Sequence, residues 1–148
     1  MCYYLYGAIN RGADADDYDK IIKSSKFHFN SGNEDDVNSC VEKCEDTYRI
    51  TYNHCDCNSA VGSKHTNKNE ICELTDILLS LKAVRGIKYV LLSKNWYDET
   101  NTKQETVHIN DIDIPHFLAN AEDNCLYKIE LYPKYYQCSL PIDNIRKI

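Results

Sequence analysis

Glycine and proline are scarce in this chain, five and three among 148 residues, which leaves no room for a low-complexity linker. Tryptophan and methionine occur once each. No stretch approaches the roughly 18 consecutive apolar residues that a membrane span needs. Basic residues are the scarcer sign, 17 Lys and Arg against 23 Asp and Glu. The resulting net charge of -6 and pI near 5.3 oppose attraction to phosphate backbones and anionic lipid, so nucleic acid is disfavoured as a partner. The opening Met1-Cys2-Tyr3-Tyr4-Leu5-Tyr6 has no basic segment of the secretory kind, Gly7 breaks its apolar run, and Arg11 follows closely. A cytoplasmic protein with reduced thiols is therefore expected. Also missing are an internal repeat, a cofactor fingerprint, a complete catalytic signature and a nucleic-acid-binding pattern.

What is present fits one globular domain over residues 1–148, with 43% hydrophobic and 27% charged residues. Residues 2–9 read as an opening strand covered on both faces, and Asp14 as the cap of a helix carrying Tyr18, Ile21 and Ile22. Phe27 and Phe29 mark a short second strand. Val37, Cys40, Val41 and Cys44 have helical spacing, whereas Tyr48, Ile50, Tyr52 and His54 alternate as a strand. Residues 58–69 form a polar loop of a length at which function or mobility is the expectation. Ile71, Leu74, Ile77, Leu78 and Leu81 predict a helix over 70–85 with Gly86 at its C-terminal cap, followed at once by a central strand over 87–92. Residues 96–104 read as a second loop, 106–109 as a strand, and Asp113 with Pro115 as the start of a helix ending near Asn124. Residues 126–132 alternate as a strand, and 133–148 read as a tail packing back across the body. The predicted fold is α+β: a mixed, mostly antiparallel sheet with two to four helices, like a split β-α-β arrangement.

Eight cysteines are the main chemical clue. His54-Cys55-Asp56-Cys57 places two thiols and an imidazole within four residues, and Cys40 and Cys44 stack on one helix face at i,i+4. Cys40, Cys44, Cys55 and Cys57 could converge on a tetrahedral zinc, with His54 or His65 replacing a thiol, although C-x3-C followed by C-x-C departs from the usual spacing. The competing reading is packing, because reduced Cys is among the most buried residue types and Cys40 and Cys44 share a stripe with Val37 and Val41. Catalysis by Cys55 needs a base, and neighbouring His54 points to the other face of a strand; His28, His65, His108 or His116 would have to be recruited by folding. Asp56 between Cys55 and Cys57 disfavours both thiolates.

Two local resemblances bear on catalysis. Cys2, exposed by loss of Met1, is similar at that one position to the N-terminal-nucleophile amidotransferases, which implies a thiol with its own amine as base; Tyr3 and Tyr4 replace that family's following Gly and Ile. Tyr6-Gly7-Ala8-Ile9-Asn10-Arg11-Gly12 resembles the opening of the gamma-glutamyl cyclotransferase group at Tyr6, Gly7 and Gly12, which implies a loop holding a small carboxylated substrate. That family's mid-chain catalytic carboxylate has no counterpart in this chain, and a strand with a tight turn explains the same glycines.

Twelve tyrosines, with Tyr3, Tyr4 and Tyr6 near one end and Tyr127, Tyr132, Tyr135 and Tyr136 near the other, suit half-buried sheet positions or a binding surface. Asp14, Asp16, Asp17 and Asp19, and Glu34, Asp35 and Asp36, read as solvated surface or as a patch for a basic partner. The expectation is a small acidic, non-enzymatic binding protein, inhibitor-like or ligand-sequestering. It would recognise a protein or small ligand through Asp16, Asp17, Tyr4, Tyr6 and His65 and carry no cofactor. The rival is a small cysteine-dependent enzyme or zinc protein centred on Cys55 and Cys57.

Overall fold

The computed structural model describes residues 3–10, 15–31, 45–52, 58–84, 86–96, 99 and 101–132. Six strands and three α-helices follow in the order β1 (Tyr3–Asn10), α1 (Ala15–Ser24), β2 (His28–Ser31), β3 (Glu45–Thr51), α2 (Asn69–Lys82), β4 (Tyr89–Trp96), β5 (Lys103–His108), α3 (Ile114–Ala119) and β6 (Cys125–Glu130). A short 3-10 turn, Ile109–Asp111, links β5 to α3. The strands form one sheet in the order β2-β3-β1-β4-β6-β5. Every neighbouring pair is antiparallel except β5 with β6. The first four strands thus have the order of a split β-α-β arrangement, and a parallel β5-α3-β6 unit extends it. This is the predicted α+β class with a mixed, mostly antiparallel sheet.

The α2 stripe explains why the sheet holds its helices on one face. Ile71, Leu74, Ile77, Leu78 and Leu81 recur at helical spacing and are all buried. They join Leu5 and Ile9 of β1, Val90 and Leu92 of β4, and Leu118 of α3 in the main core. Gly7 shares that face because a Cβ there would stand 2.8 Å from Ile50 Cδ1 and 3.2 Å from the Leu91 carbonyl oxygen. This close packing accounts for the glycine without the substrate loop of the cyclotransferase resemblance; Gly12 lies outside the described residues. The opposite face carries a smaller cluster of Ala8, Leu91 and Leu126 with Tyr6 and Tyr89 against it. The opening strand thus buries Leu5, Gly7 and Ile9 on the helix side, while on the other face Ala8 is buried and Tyr4 and Tyr6 are half-buried.

Several boundaries differ from expectation. β4 runs on through Ser93, Lys94, Asn95 and Trp96. Polar residues are admitted there because β1 pairs along the whole strand, from Ile9 with Val90 to Tyr3 with Trp96. α2 ends at Lys82, with Ala83 rather than Gly86 at its C-cap. The last turn tightens through N–H groups of Ala83 and Val84 donating to Ser80 and Leu81, and Gly86 takes φ 98° in the turn into β4. α3 stops at Ala119, five residues short of Asn124; its start is as predicted, with Asp113 accepting from the His116 N–H at 3.3 Å. The helix predicted around Val37 to Cys44 and the tail from 133 lie outside the described residues. Among the described residues, no helix is long and apolar enough to cross a membrane.

Candidate functional site

A cleft of about 530 Å³ opens between residues 58–65 and the start of α2, lined by Tyr52, Ser59, Ser63, His65, Lys68 and Glu70 among others. Its floor is fixed by a buried carboxylate. Glu70 accepts from the Ser59 hydroxyl at 2.5 Å and from the Ala60 N–H at 3.0 Å, and the Ser59 oxygen in turn accepts from the Val61 N–H at 3.2 Å. The far side of the same loop is tied down by N–H groups of Gly62 and Lys64, which donate to the Leu118 and Ala119 carbonyls at 2.9 and 2.7 Å. Gly62 and Lys64 reach these partners with φ of 78° and 69°, the left-handed conformation. The first half of the 58–69 segment is a packed loop, with Ala60 and Val61 buried, whereas residues 64–69 are exposed.

The rim is rich in donors. Lys68 occupies the N-cap of α2 and makes no side-chain capping bond. Cys72 is the first residue whose N–H reaches back, to the Lys68 carbonyl at 3.2 Å, so the first-turn N–H groups of α2 have no helical partner. His65 and Lys68 are both exposed beside them. Such an arrangement favours negative charge or strong acceptors.

The predicted binding residues do not converge. Tyr4 and Tyr6 lie on the helix-free face of the sheet, their rings 6.1 Å apart, whereas His65 belongs to the cleft on the helix side. Asp16 and Asp17 sit in the first turn of α1, just beyond the Asn10 end of β1. The cleft is at the other end, since β3 runs antiparallel to β1 and delivers Tyr52 beyond the Arg49–Tyr6 pair. The tyrosines also separate, because Tyr127 faces the helices and its hydroxyl accepts from the Glu122 N–H at 2.8 Å. Cys2, Cys40, Cys44, Cys55 and Cys57 lie outside the described residues, as does His54. Tyr52 and Asn58, which flank the segment bearing His54, Cys55 and Cys57, both line the cleft.

Two thiols are described, and both are free. Cys125 is buried, its thiol donates to Glu105 Oε2 at 3.7 Å, and burial pushes its pKa up, which opposes thiolate formation. Cys72 is exposed on α2. His108 has both ring nitrogens engaged, Nε2 against the Tyr132 carbonyl at 2.6 Å and Nδ1 accepting from the Asn110 N–H at 3.1 Å. Both of its hydrogen-bonding positions are therefore occupied. Among the described residues no group of three or more His, Cys, Asp or Glu side chains is placed to hold a metal.

Sequence reasoning missed Glu70 and Ser59, since an acid in the first turn of a helix reads as ordinary dipole compensation. Comparison with protein-family models, with curated proteins and with solved structures finds no match for this chain.

Proposed function

We propose that this chain is a ligand-binding protein of the sequestering type, holding a small anionic or acceptor-rich ligand in the cleft at the start of α2. The observation that carries the reading is a concave polar site whose floor is pinned by Glu70 while the donors of its rim, Lys68 above all, have no side-chain partner among the described residues. Capture of a basic protein through acidic and tyrosine-bearing surface is less well supported, because Tyr4 and Tyr6 lie on the opposite face of the sheet from the cleft that holds His65. A cytoplasmic setting belongs to the same proposal, supported by the free thiols of Cys72 and Cys125.

A nuclear magnetic resonance titration of the full chain with inorganic phosphate tests it. Saturable amide shifts concentrated at Ser63, His65, Asn69 and Glu70, at least tenfold weaker in Lys68→Ala, are expected. Shifts that are absent, or indifferent to Lys68→Ala, overturn the reading. Tyr52 and Asn58 both line the cleft and the segment between them carries two thiols, which favours a second reading in which Cys55 and Cys57 bind zinc. The same titration with Zn²⁺ under reducing conditions decides it: that reading requires one equivalent bound, and loss on replacing Cys55 and Cys57 by Ser.

A further inference from the structure

Lys94 is a lysine in an unusual place. It lies on the helix-facing side of β4, opposite Leu5 of β1, and is about nine-tenths buried. An ammonium carries three N–H donors. One donates to the Val61 carbonyl at 2.8 Å, and the nitrogen lies 4.9 Å from the centre of the Tyr3 ring. Among the described residues no carboxylate stands within ion-pairing distance of it. Holding one carbonyl requires a donor but not a charge, and a buried charge without a counter-ion is costly. The tie to Val61 therefore accounts for one N–H and the face of the Tyr3 ring for part of the charge, which leaves two N–H donors without a partner among the described residues.

The surroundings have the shape of a recognition point. Tyr3 packs edge-on against Trp96 with ring centres 4.8 Å apart, and Trp96 is 36% exposed, one of only two large apolar side chains so exposed among the described residues. Gly62, half-buried, stands beside the ammonium: an added Cβ would lie in ordinary contact with Lys94 Nζ, at 3.8 Å. The backbone here is fixed, because the Trp96 N–H donates to Asn124 Oδ1 at 3.1 Å and the Asn124 N–H donates to the Lys94 carbonyl at 2.9 Å.

We propose that Lys94, framed by Tyr3, Gly62 and Trp96, binds the carboxylate of a small ligand whose apolar or aromatic body rests on the Trp96 ring. A single monoanion matches the two remaining N–H donors, whereas a phosphate dianion would ask for more donors. The site is distinct from the cleft and uses none of its rim residues.

Trp96 is the only tryptophan of the chain, so its fluorescence reports on this site alone. Benzoate should give a saturable change, benzamide, its neutral analogue, should bind at least tenfold more weakly, and acetate should fall between absence and weak binding. Lys94→Met should lose at least tenfold in benzoate affinity. If Lys94→Met fails to fold, Trp96→Leu, at an exposed position, serves instead, followed by calorimetry; a several-fold loss is expected. A missing benzoate response, equal binding of benzamide, preferential binding of inorganic phosphate, or unchanged affinity in the folded variant overturns the proposal.

Discussion

At the residue scale, two carboxylates of the same helix illustrate how burial decides the worth of a group. Glu70 is 4% exposed and accepts from two donors of the 58–64 loop, whereas Glu73, at the surface, accepts from the Lys26 N–H at 2.8 Å. Replacing Glu70 by Leu leaves the Ser59 O–H and the Ala60 N–H buried without an acceptor, and should cost about 2–3 kcal/mol. Glu70→Gln keeps an acceptor and lets the Ser59 hydroxyl turn, so about 1 kcal/mol is expected, and Glu73→Ala should cost less than either. Chemical denaturation of the three variants checks the order; equal losses at Glu70 and Glu73 would refute the structural role given to Glu70. Nothing in the sequence separates these two acids, three positions apart on one helix, because the distinction depends on which of them the 58–64 loop folds over.

At the scale of elements, legibility followed the strength of the local pattern. The α2 stripe repeats through five apolar residues, and the helix appears where that period predicts it, within a few residues at each end. The β4 strand was cut short in expectation because Ser93, Lys94 and Asn95 look like loop residues. Pairing with β1 on one side and β6 on the other keeps its backbone in the sheet regardless of side-chain type. The 58–64 loop was the least legible, since it is held by Glu70, a few residues past its end, and by Leu118, Ala119 and Lys94, which are far away in sequence. Gly62 is the position on which this loop turns: φ is 78°, and a Cβ would lie 2.9 Å from the Ala121 carbonyl oxygen. Gly62→Ala should therefore cost about 2 kcal/mol or more, against less than about 0.5 kcal/mol for Ser63→Ala beside it. It should also raise amide exchange at Gly62 and Lys64 while leaving the α2 interior protected. A neutral Gly62→Ala would show that the loop is held far more loosely than its hydrogen bonds imply.

At the scale of the whole molecule, a mixed sheet packed with helices was readable from the alternation of strand and helix patterns; the placing of the helices on one face and the order of strands were not, because both are set by long-range packing. One consequence of that packing is a pair of protonated acids at the β6 side of the core. Burial pushes the Tyr127 hydroxyl above its ordinary value of 10.0 and the Cys125 thiol above 9.0, each being 5% exposed or less. Both groups are held neutral in the folded chain and ionise near their ordinary values once it unfolds. A raised folded-state pKa of this kind contributes fully below the unfolded value and is lost as pH rises toward the folded one. Stability should accordingly begin to fall above about pH 9, by up to about 1.4 kcal/mol per pH unit for each group ionised only in the unfolded chain. General repulsion in a chain of net charge -6 also grows with pH, so the wild-type slope alone would not identify the cause. Tyr127→Phe separates the two, since it removes one of the buried acids and leaves the surface charge unchanged. The variant should be less stable at pH 7, having lost the bond from the Glu122 N–H, yet its stability should decline less steeply between pH 9 and 11 than that of the wild type. Parallel declines in denaturation series across that range would place the alkaline sensitivity at the surface and not in the β6 core.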